Sequence, residues 1–247
     1  EKSTEKLART QRESAWRDMA KQVAHEIKNP LTPMKLNIQL LQRVMTMKPE
    51  KAQKMVDRVS NTLIEQIDSL AHIASEFSNF AKMPRAQNEV LHLNHLVWNV
   101  YNLFKEEENI ELSADVAEDD CYIFADKTQI TRVLNNLLKN AVQAIPEDQV
   151  GKIEIKMYMT SRTAIVQIKD NGCGIPEDKK DEIFVPNFTT KSSGTGIGLS
   201  MSKTIVEMAK GIIYFESEEG EGTEFFVEIP RYYPNQEELE YVQEAIK

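Results

Sequence analysis

A helical hairpin followed by an α+β sandwich is the fold class this sequence predicts, and three observations predict it. Residues 1 to 150 contain no glycine, while eight of the nine glycines fall between Gly172 and Gly222, so uninterrupted helix gives way to a region of special backbone. Up to Phe80 the apolar residues recur at steps of three and four, a helical period. Beyond about residue 88 short alternating runs take over, interleaved with helical segments, the pattern of helices on one face of a mixed sheet.

The composition sets bounds. With 41% hydrophobic and 28% charged residues in 247, the chain has enough apolar material for one large domain or two modest ones, and disorder is excluded. No apolar stretch approaches the roughly 18 to 20 residues that span a bilayer, and no signal-peptide core is visible, so the expectation is a soluble chain. Two cysteines, Cys121 and Cys173, are too few for a disulfide scaffold and are expected reduced, in a cytosol. A net charge of −9 argues against a nucleic-acid partner, which needs clustered cations.

The elements follow in order. Met19, Val23, Ile27, Leu31, Met34, Ile38, Leu41 and Val44 form one helical stripe within a helix from about Ser3 to Met47. Lys48-Pro49 interrupts it, and Val56, Val59, Leu63, Ile67, Leu70, Ile73, Phe77 and Phe80 form a second. An antiparallel hairpin of two such helices buries little by itself, so a second copy completing a four-helix bundle, a homodimer, is expected. The domain division follows: a hairpin over residues 1–83, a linker over 84–87 containing Pro84, a sandwich over 88–232 and an acidic tail over 233–247. Within the sandwich a strand near Glu89 to Leu93 leads to a helix capped by Asn94 and running to about Glu108. Strands near Ile110 to Val116 and Tyr122 to Ala125, then a helix from about Thr128 to Ala144, come next. Two hairpins pair Lys152–Met159 with Ala164–Lys169 and Ile212–Glu216 with Glu224–Ile229. The tail from Asn235 is helical, without a readable role.

Four stretches carry chemistry. In His25-Glu26-Ile27-Lys28-Asn29-Pro30-Leu31, His25 lies about 200° around the helix from Ile27, off the apolar stripe. A carboxylate that holds one ring nitrogen's proton leaves the other nitrogen free to attack, and Pro30, with no N–H, loosens the helix beside it. An ordinary surface histidine fits these residues equally well. Arg132, Asn136, Asn140 and Ala144 stand four apart, one row on one helix face; an amide oxygen suits Mg²⁺ and an arginine suits phosphate, although a solvated face has the same pattern. Asp170-Asn171-Gly172-Cys173-Gly174-Ile175 leaves a strand, placing a carboxylate before glycines that let backbone approach a flat ring. Gly194-Thr195-Gly196-Ile197-Gly198-Leu199 precedes a helix running to Ala209, and N–H groups at a helix start suit phosphates. Alone, each of the last two is a common turn.

Taken in order, H-E-x-x-N-P, N-L-L-x-N-A-x-x-A, D-N-G-x-G-I, F-x-P-x-F and G-T-G-x-G-L strongly resemble the sensor histidine kinases of two-component signalling, over about Trp16 to Pro230. The wording HEIKNPLTP and the few residues between Phe188 and Gly194 look most like the nitrogen-sensor subgroup. The resemblance implies a dimerisation and phosphotransfer hairpin joined to a Bergerat-type (GHKL) ATP-binding sandwich. It implies that His25 accepts the γ-phosphoryl group of ATP, Glu26 activates it and Asn29 orients water for dephosphorylating a response regulator receiver domain, the expected partner. It implies further that Asn140 holds Mg²⁺ and Asp170 reads adenine. Arg132, Asn136, Gly172, Gly174, Ile175, Lys191, Gly194, Thr195, Gly196, Ile197, Gly198 and Leu199 would line the nucleotide site, with Lys191 neutralising the γ-phosphate. Such a chain is expected to be the cytoplasmic portion of a bacterial inner-membrane sensor, tethered only through segments upstream of Glu1.

Other residues are read more plainly. His92 and His95 straddle a strand and a helix cap and are not expected to bind metal; His72 is a packed or interface residue; Cys121 is core; Trp16 and Trp98 are packing anchors. Two other functions remain on the sequence: a GHKL-type ATPase whose hairpin merely joins protomers, and a nucleotide-gated dimeric scaffold. Neither has a use for His25.

Overall fold

The structure, a computed structural model, describes residues 23–24, 27–42, 49–81, 86–185, 196 and 198–246. The chain divides into two compact units, with one boundary between Met83 and Pro84. No helix among the described residues is long and apolar enough to cross a membrane.

The first unit holds helix α1, residues 27–42, and helix α2, Pro49–Ala81, about 50 Å long at 1.5 Å per residue. Val23 and Val59 are buried, but Leu31, Ile38 and Ile67 are 46%, 48% and 52% exposed although all three lie on the apolar stripes. Full burial of such a side chain is worth roughly 1.5–3 kcal/mol, so this unit leaves much of its apolar driving force unused within one chain.

The second unit is a seven-stranded mixed sheet with strand order β1-β3-β7-β5-β4-β2 and β6 on the other side of β7. The strands are β1 (Glu89–His92), β2 (Ile110–Val116), β3 (Tyr122–Ala125), β4 (Gly151–Met159), β5 (Thr163–Asp170), β6 (Ile212–Glu218) and β7 (Gly222–Tyr232). Only β2 and β4 pair in parallel. Alternation decides the faces: Ile153, Ile155 and Met157 of β4, with Val166 and Ile168 of β5, are buried beneath helices, while Lys152 and Lys169 are exposed on the opposite side. Helices α3 (Leu93–Phe104), α4 (Lys127–Ala144) and α5 (Gly198–Met208) pack on the sheet. Val133, Leu137 and Leu138 of α4 are completely buried, so α4 is the core helix to which the sheet is fitted. A 3-10 turn (Glu177–Glu182) and an acidic helix α6 (Gln236–Ile246), which packs on β1, complete the unit.

Three expectations are corrected. Asn94 does not cap α3. The cap is His92, whose Nδ1 accepts the N–H of His95 at 3.2 Å while its Nε2 pairs with Asp120 at 2.9 Å. Asn94 sits in the first turn, 7% exposed, donating to the carbonyls of Ala117 and Asp119 and accepting from the N–H of Cys121. The helix also stops at Phe104 rather than near Glu108; Lys105 caps it, and Asn109, at φ 60°, turns the chain into β2. Trp98 is 41% exposed, edge-on to Tyr101, and is not a core anchor. The side chains of Trp16 and His72 lie outside the described residues.

Candidate nucleotide site at the end of the sheet

The site begins with α4. Asp126 caps it, accepting the N–H of Gln129 at 3.1 Å on one carboxylate oxygen and that of Gln87 at 2.9 Å on the other. The capped helix presents Arg132, Asn136 and Asn140 in a half-buried row, as their spacing predicts. Asn136 does more than line a pocket. Its Nδ2 donates to Ser202 Oγ at 3.0 Å, and Ser202 donates to the carbonyl of Gly198 at 2.9 Å, which clamps the first turn of α5 onto α4. A Cβ at Gly198 would stand 2.4 Å from Asn136 Oδ1, so the clamp requires glycine there.

Asp170 ends β5 and is 4% exposed. Its Oδ1 accepts the N–H of Gly172 at 2.9 Å and of Thr223 at 3.2 Å, so the carboxylate is oriented by backbone donors from two strands' ends. Beyond it the chain is tied on both sides. Cys173 N–H donates to the carbonyl of Ala144, the last residue of α4, and Gly220 N–H donates to the carbonyl of Cys173, both at 2.9 Å. Asn171 joins the same turn to β4: its Oδ1 accepts the N–H of Lys152 and its Nδ2 donates to the carbonyl of Val150. Two glycines interlock the turn with the β6–β7 hairpin. Gly174 has φ +65° and Gly222 φ +120°; a Cβ on either would fall 2.0 Å from a carbonyl oxygen, of Glu218 and of Asp170 respectively. Any other residue there is both strained and sterically excluded.

Phe184 is held on the same unit, edge-on to Phe215 at 5.9 Å, with Lys203 Nζ 5.6 Å from its ring centre. Gly196 has φ +66°, and Leu199 and Ile175 are half-buried. His25, Glu26, Lys191, Gly194, Thr195 and Ile197 lie outside the described residues; Asn29 is described and exposed. Sequence reasoning missed Ser202, Asn171, Ser217 and Thr223 as site residues. The last two were within reach, because period-two alternation through Ile213 and Phe215, and through Phe225 and Val227, puts a polar residue at an inward position beside the glycine turn.

Among the described residues no group of three or more His, Cys, Asp or Glu is arranged to hold a metal. A Mg²⁺ ion carried in on phosphates keeps most of its waters and takes few protein ligands, hard oxygens by preference; Asn140, half-buried in the α4 row, carries an amide oxygen of that kind.

The two thiols differ in kind. Cys121 is completely buried, and burial pushes its pKa up to about 11 against the opposing influence of Arg231, whereas Cys173 is exposed. One thiol per chain should therefore react with a disulfide reagent in the native state and two after denaturation; two fast thiols in the native state would contradict the buried position of Cys121.

Comparison with known proteins gives two family matches. Residues 125–233 match the family described as histidine kinase-, DNA gyrase B- and HSP90-like ATPase, and residues 15–86 match the His Kinase A (phospho-acceptor) domain. The nitrogen regulation protein NtrY of Azorhizobium caulinodans is 30% identical over 87% of this chain and 29% of its own length. Sporulation kinase A of Bacillus subtilis is 32% identical over 93% of this chain and 37% of its own. The chain thus spans between a quarter and two fifths of these curated relatives. Among solved structures, the catalytic domain of histidine kinase ThkA is 38% identical with a TM-score of 0.53, over 59% of this chain and 98% of that one. ThkA in complex with the response regulator protein TrrA is 31% identical with a TM-score of 0.65, over 94% of this chain and 66% of that one.

Proposed function

We propose that this chain, which belongs to the sensor histidine kinases, moves the γ-phosphoryl group of ATP to His25 and from there to an aspartate of a response regulator. The observation that carries the reading is the buried Asp170 carboxylate, aimed by the N–H groups of Gly172 and Thr223 on the unit that holds the polar row of α4, in a chain whose sequence carries H-E-I-K-N-P at residues 25–30. A buried carboxylate fixed in this way accepts a hydrogen bond from the exocyclic amine of adenine. The stretch Gly194 to Leu199 would supply N–H groups to the phosphates, and Lys191 a positive charge.

Asn140, in one row with Asn136 and Arg132 at four-residue spacing, would hold Mg²⁺, which would supply neutralisation of phosphate charge when bound. Glu26 holds the proton of one imidazole nitrogen of His25, and the other nitrogen attacks phosphorus in line. A P–N bond forms as the bond from the γ-phosphorus to the ADP oxygen breaks, so positioning and charge neutralisation do the work. The P–N bond then breaks in turn as a receiver carboxylate takes the phosphoryl group.

The domain limits of this reading are a phosphotransfer hairpin over residues 1–83, a linker over 84–87, a catalytic domain over 88–232 and a tail over 233–247. The half-exposed Leu31, Ile38 and Ile67 support a second copy of the hairpin as the cover that completes a four-helix bundle. A membrane tether, where the whole protein has one, lies upstream of Glu1, with this chain on the cytoplasmic side. An ATPase or a scaffold without phosphohistidine chemistry would leave the H-E-I-K-N-P stretch unused.

Incubation with γ-labelled ATP should place an acid-labile, alkali-stable label on the protein, and α-labelled ATP should place none. No label from γ-labelled ATP, or label that survives acid, contradicts the reading. Asn29 is exposed on α1 one turn after His25, and it serves water attack on the regulator's phosphoaspartate rather than the kinase step. Asn29→Ala should therefore keep autophosphorylation within about twofold while dephosphorylation of a phosphorylated receiver falls by at least about tenfold, a loss of roughly 1.4 kcal/mol in barrier terms. Equal loss in both assays would reduce Asn29 to a helix-surface amide.

A further inference from the structure

The registers of three strands bring Asp170, Thr223 and Ser217 into one row: Asp170 faces Thr223 across β5–β7, and Thr223 faces Ser217 across β7–β6. The row lies on the inward side, two residues along each strand from the row of Ile168, Phe225 and Phe215. Ser217 has one hydroxyl and three neighbours. Its Oγ accepts the N–H of Ile175 at 2.9 Å, donates to the carbonyl of Gly222 at 2.8 Å and lies 2.9 Å from Thr223 Oγ1.

Donor counting fixes the direction of the last bond. A backbone N–H can only donate and a carbonyl can only accept, so the single proton of Ser217 goes to Gly222, and the bond to Thr223 is made with the proton of Thr223. Thr223 Oγ1 then has only lone pairs to offer to anything else. Its neighbour in the row, the Asp170 carboxylate, also accepts. The base end of the site is thereby a pair of acceptors, which suits a purine presenting an amino group at position 6 and opposes one presenting a carbonyl oxygen there.

We propose that Ser217 is a positioning residue of the nucleotide site that holds Thr223 Oγ1 as an acceptor and so sets the preference for a 6-aminopurine over a 6-oxopurine nucleotide. The same hydroxyl fastens Ile175 to the β6–β7 hairpin, so the turn that follows Asp170 keeps its distance from β7. Removing it frees the Thr223 hydroxyl to rotate and donate. This inference rests on the reading that the Asp170 site takes a nucleotide.

The test is titration of the full chain with Mg-ATP and Mg-GTP, together with autophosphorylation kinetics, for the parent, Ser217→Ala and Ser217→Thr. Ser217→Ala should weaken ATP about tenfold, narrow the ATP-over-GTP ratio by a similar factor, and raise KM while leaving kcat within about twofold. Ser217→Thr restores the hydroxyl and should keep the parent's ratio even if it melts at a lower temperature. An unchanged ratio in Ser217→Ala, or a Ser217→Thr ratio as low as that of alanine, overturns the proposal. Parent protein that binds neither nucleotide overturns both this inference and the reading of the site, whereas parent that prefers ATP with an indifferent Ser217→Ala overturns this inference alone.

Discussion

Asp170→Asn should weaken ATP binding by about a hundredfold or more, roughly 2.7 kcal/mol, and with it all nucleotide-dependent activity. The substitution preserves shape, so Oδ1 of the amide can still accept from Gly172 and Thr223. What changes is the other end of the side chain. With Oδ1 held there, the amide NH₂ donates where the carboxylate's second oxygen accepts, and on the proposed reading it opposes the donor hydrogens of the adenine amino group at a residue only 4% exposed to water. Loss of a charge-assisted hydrogen bond removes about 1.5–3 kcal/mol, and a desolvated unmatched donor adds about 1–3 kcal/mol. The fold should survive, because the buried strands and α4 are untouched; a melting temperature without nucleotide within a few degrees of the parent's checks this. An Mg-ATP titration indistinguishable from the parent's would remove Asp170 from the base-reading role.

His25→Gln should abolish phosphorylation while leaving ATP affinity within about twofold. A glutamine amide is no nucleophile at neutral pH, so the loss is complete rather than partial. The proposed nucleotide site draws on Asp170, the α4 row and the β6–β7 hairpin, which belong to the unit that starts after Met83, and removal of an imidazole before that boundary changes none of their bonds. Autophosphorylation assays run beside Mg-ATP titrations check both halves. Phosphohistidine label on the variant would move the acceptor elsewhere, and joint loss of binding would make His25 a structural residue.

Local signals read well where local contacts decide. The α4 row at four-residue spacing and the strands Ile110–Val116 and Tyr122–Ala125 were legible as they stand. Asn94 shows the opposite case. It is an excellent capping residue by type, but its partners are Ala117, Asp119 and Cys121, more than twenty residues away, and a buried amide with three such bonds outweighs a cap worth about 1 kcal/mol. The histidine ring of His92 then takes over the end of the helix. Ser217 is legible as an inward polar residue, but its partners are not: Ile175 lies 42 residues away in the chain, and the register of β6 on β7 sets Thr223 opposite it. In the first unit the stripes at steps of three and four predict buried aliphatics, yet Ile38 and Ile67 are about half exposed, because periodicity reports that a face needs a cover without saying that the cover is in the same chain.

On the proposed reading ATP phosphorylates one histidine of the chain's four, His25, and spares His72, His92 and His95. Tryptic mapping at neutral to alkaline pH after incubation with Mg-ATP tests it most directly, since cleavage after Lys21 and Lys28 isolates Gln22–Lys28, whose only histidine is His25. This peptide, and no other, should gain the mass of one phosphoryl group. Phosphoryl mass on a peptide carrying His72, His92 or His95, or on none, would contradict that reading.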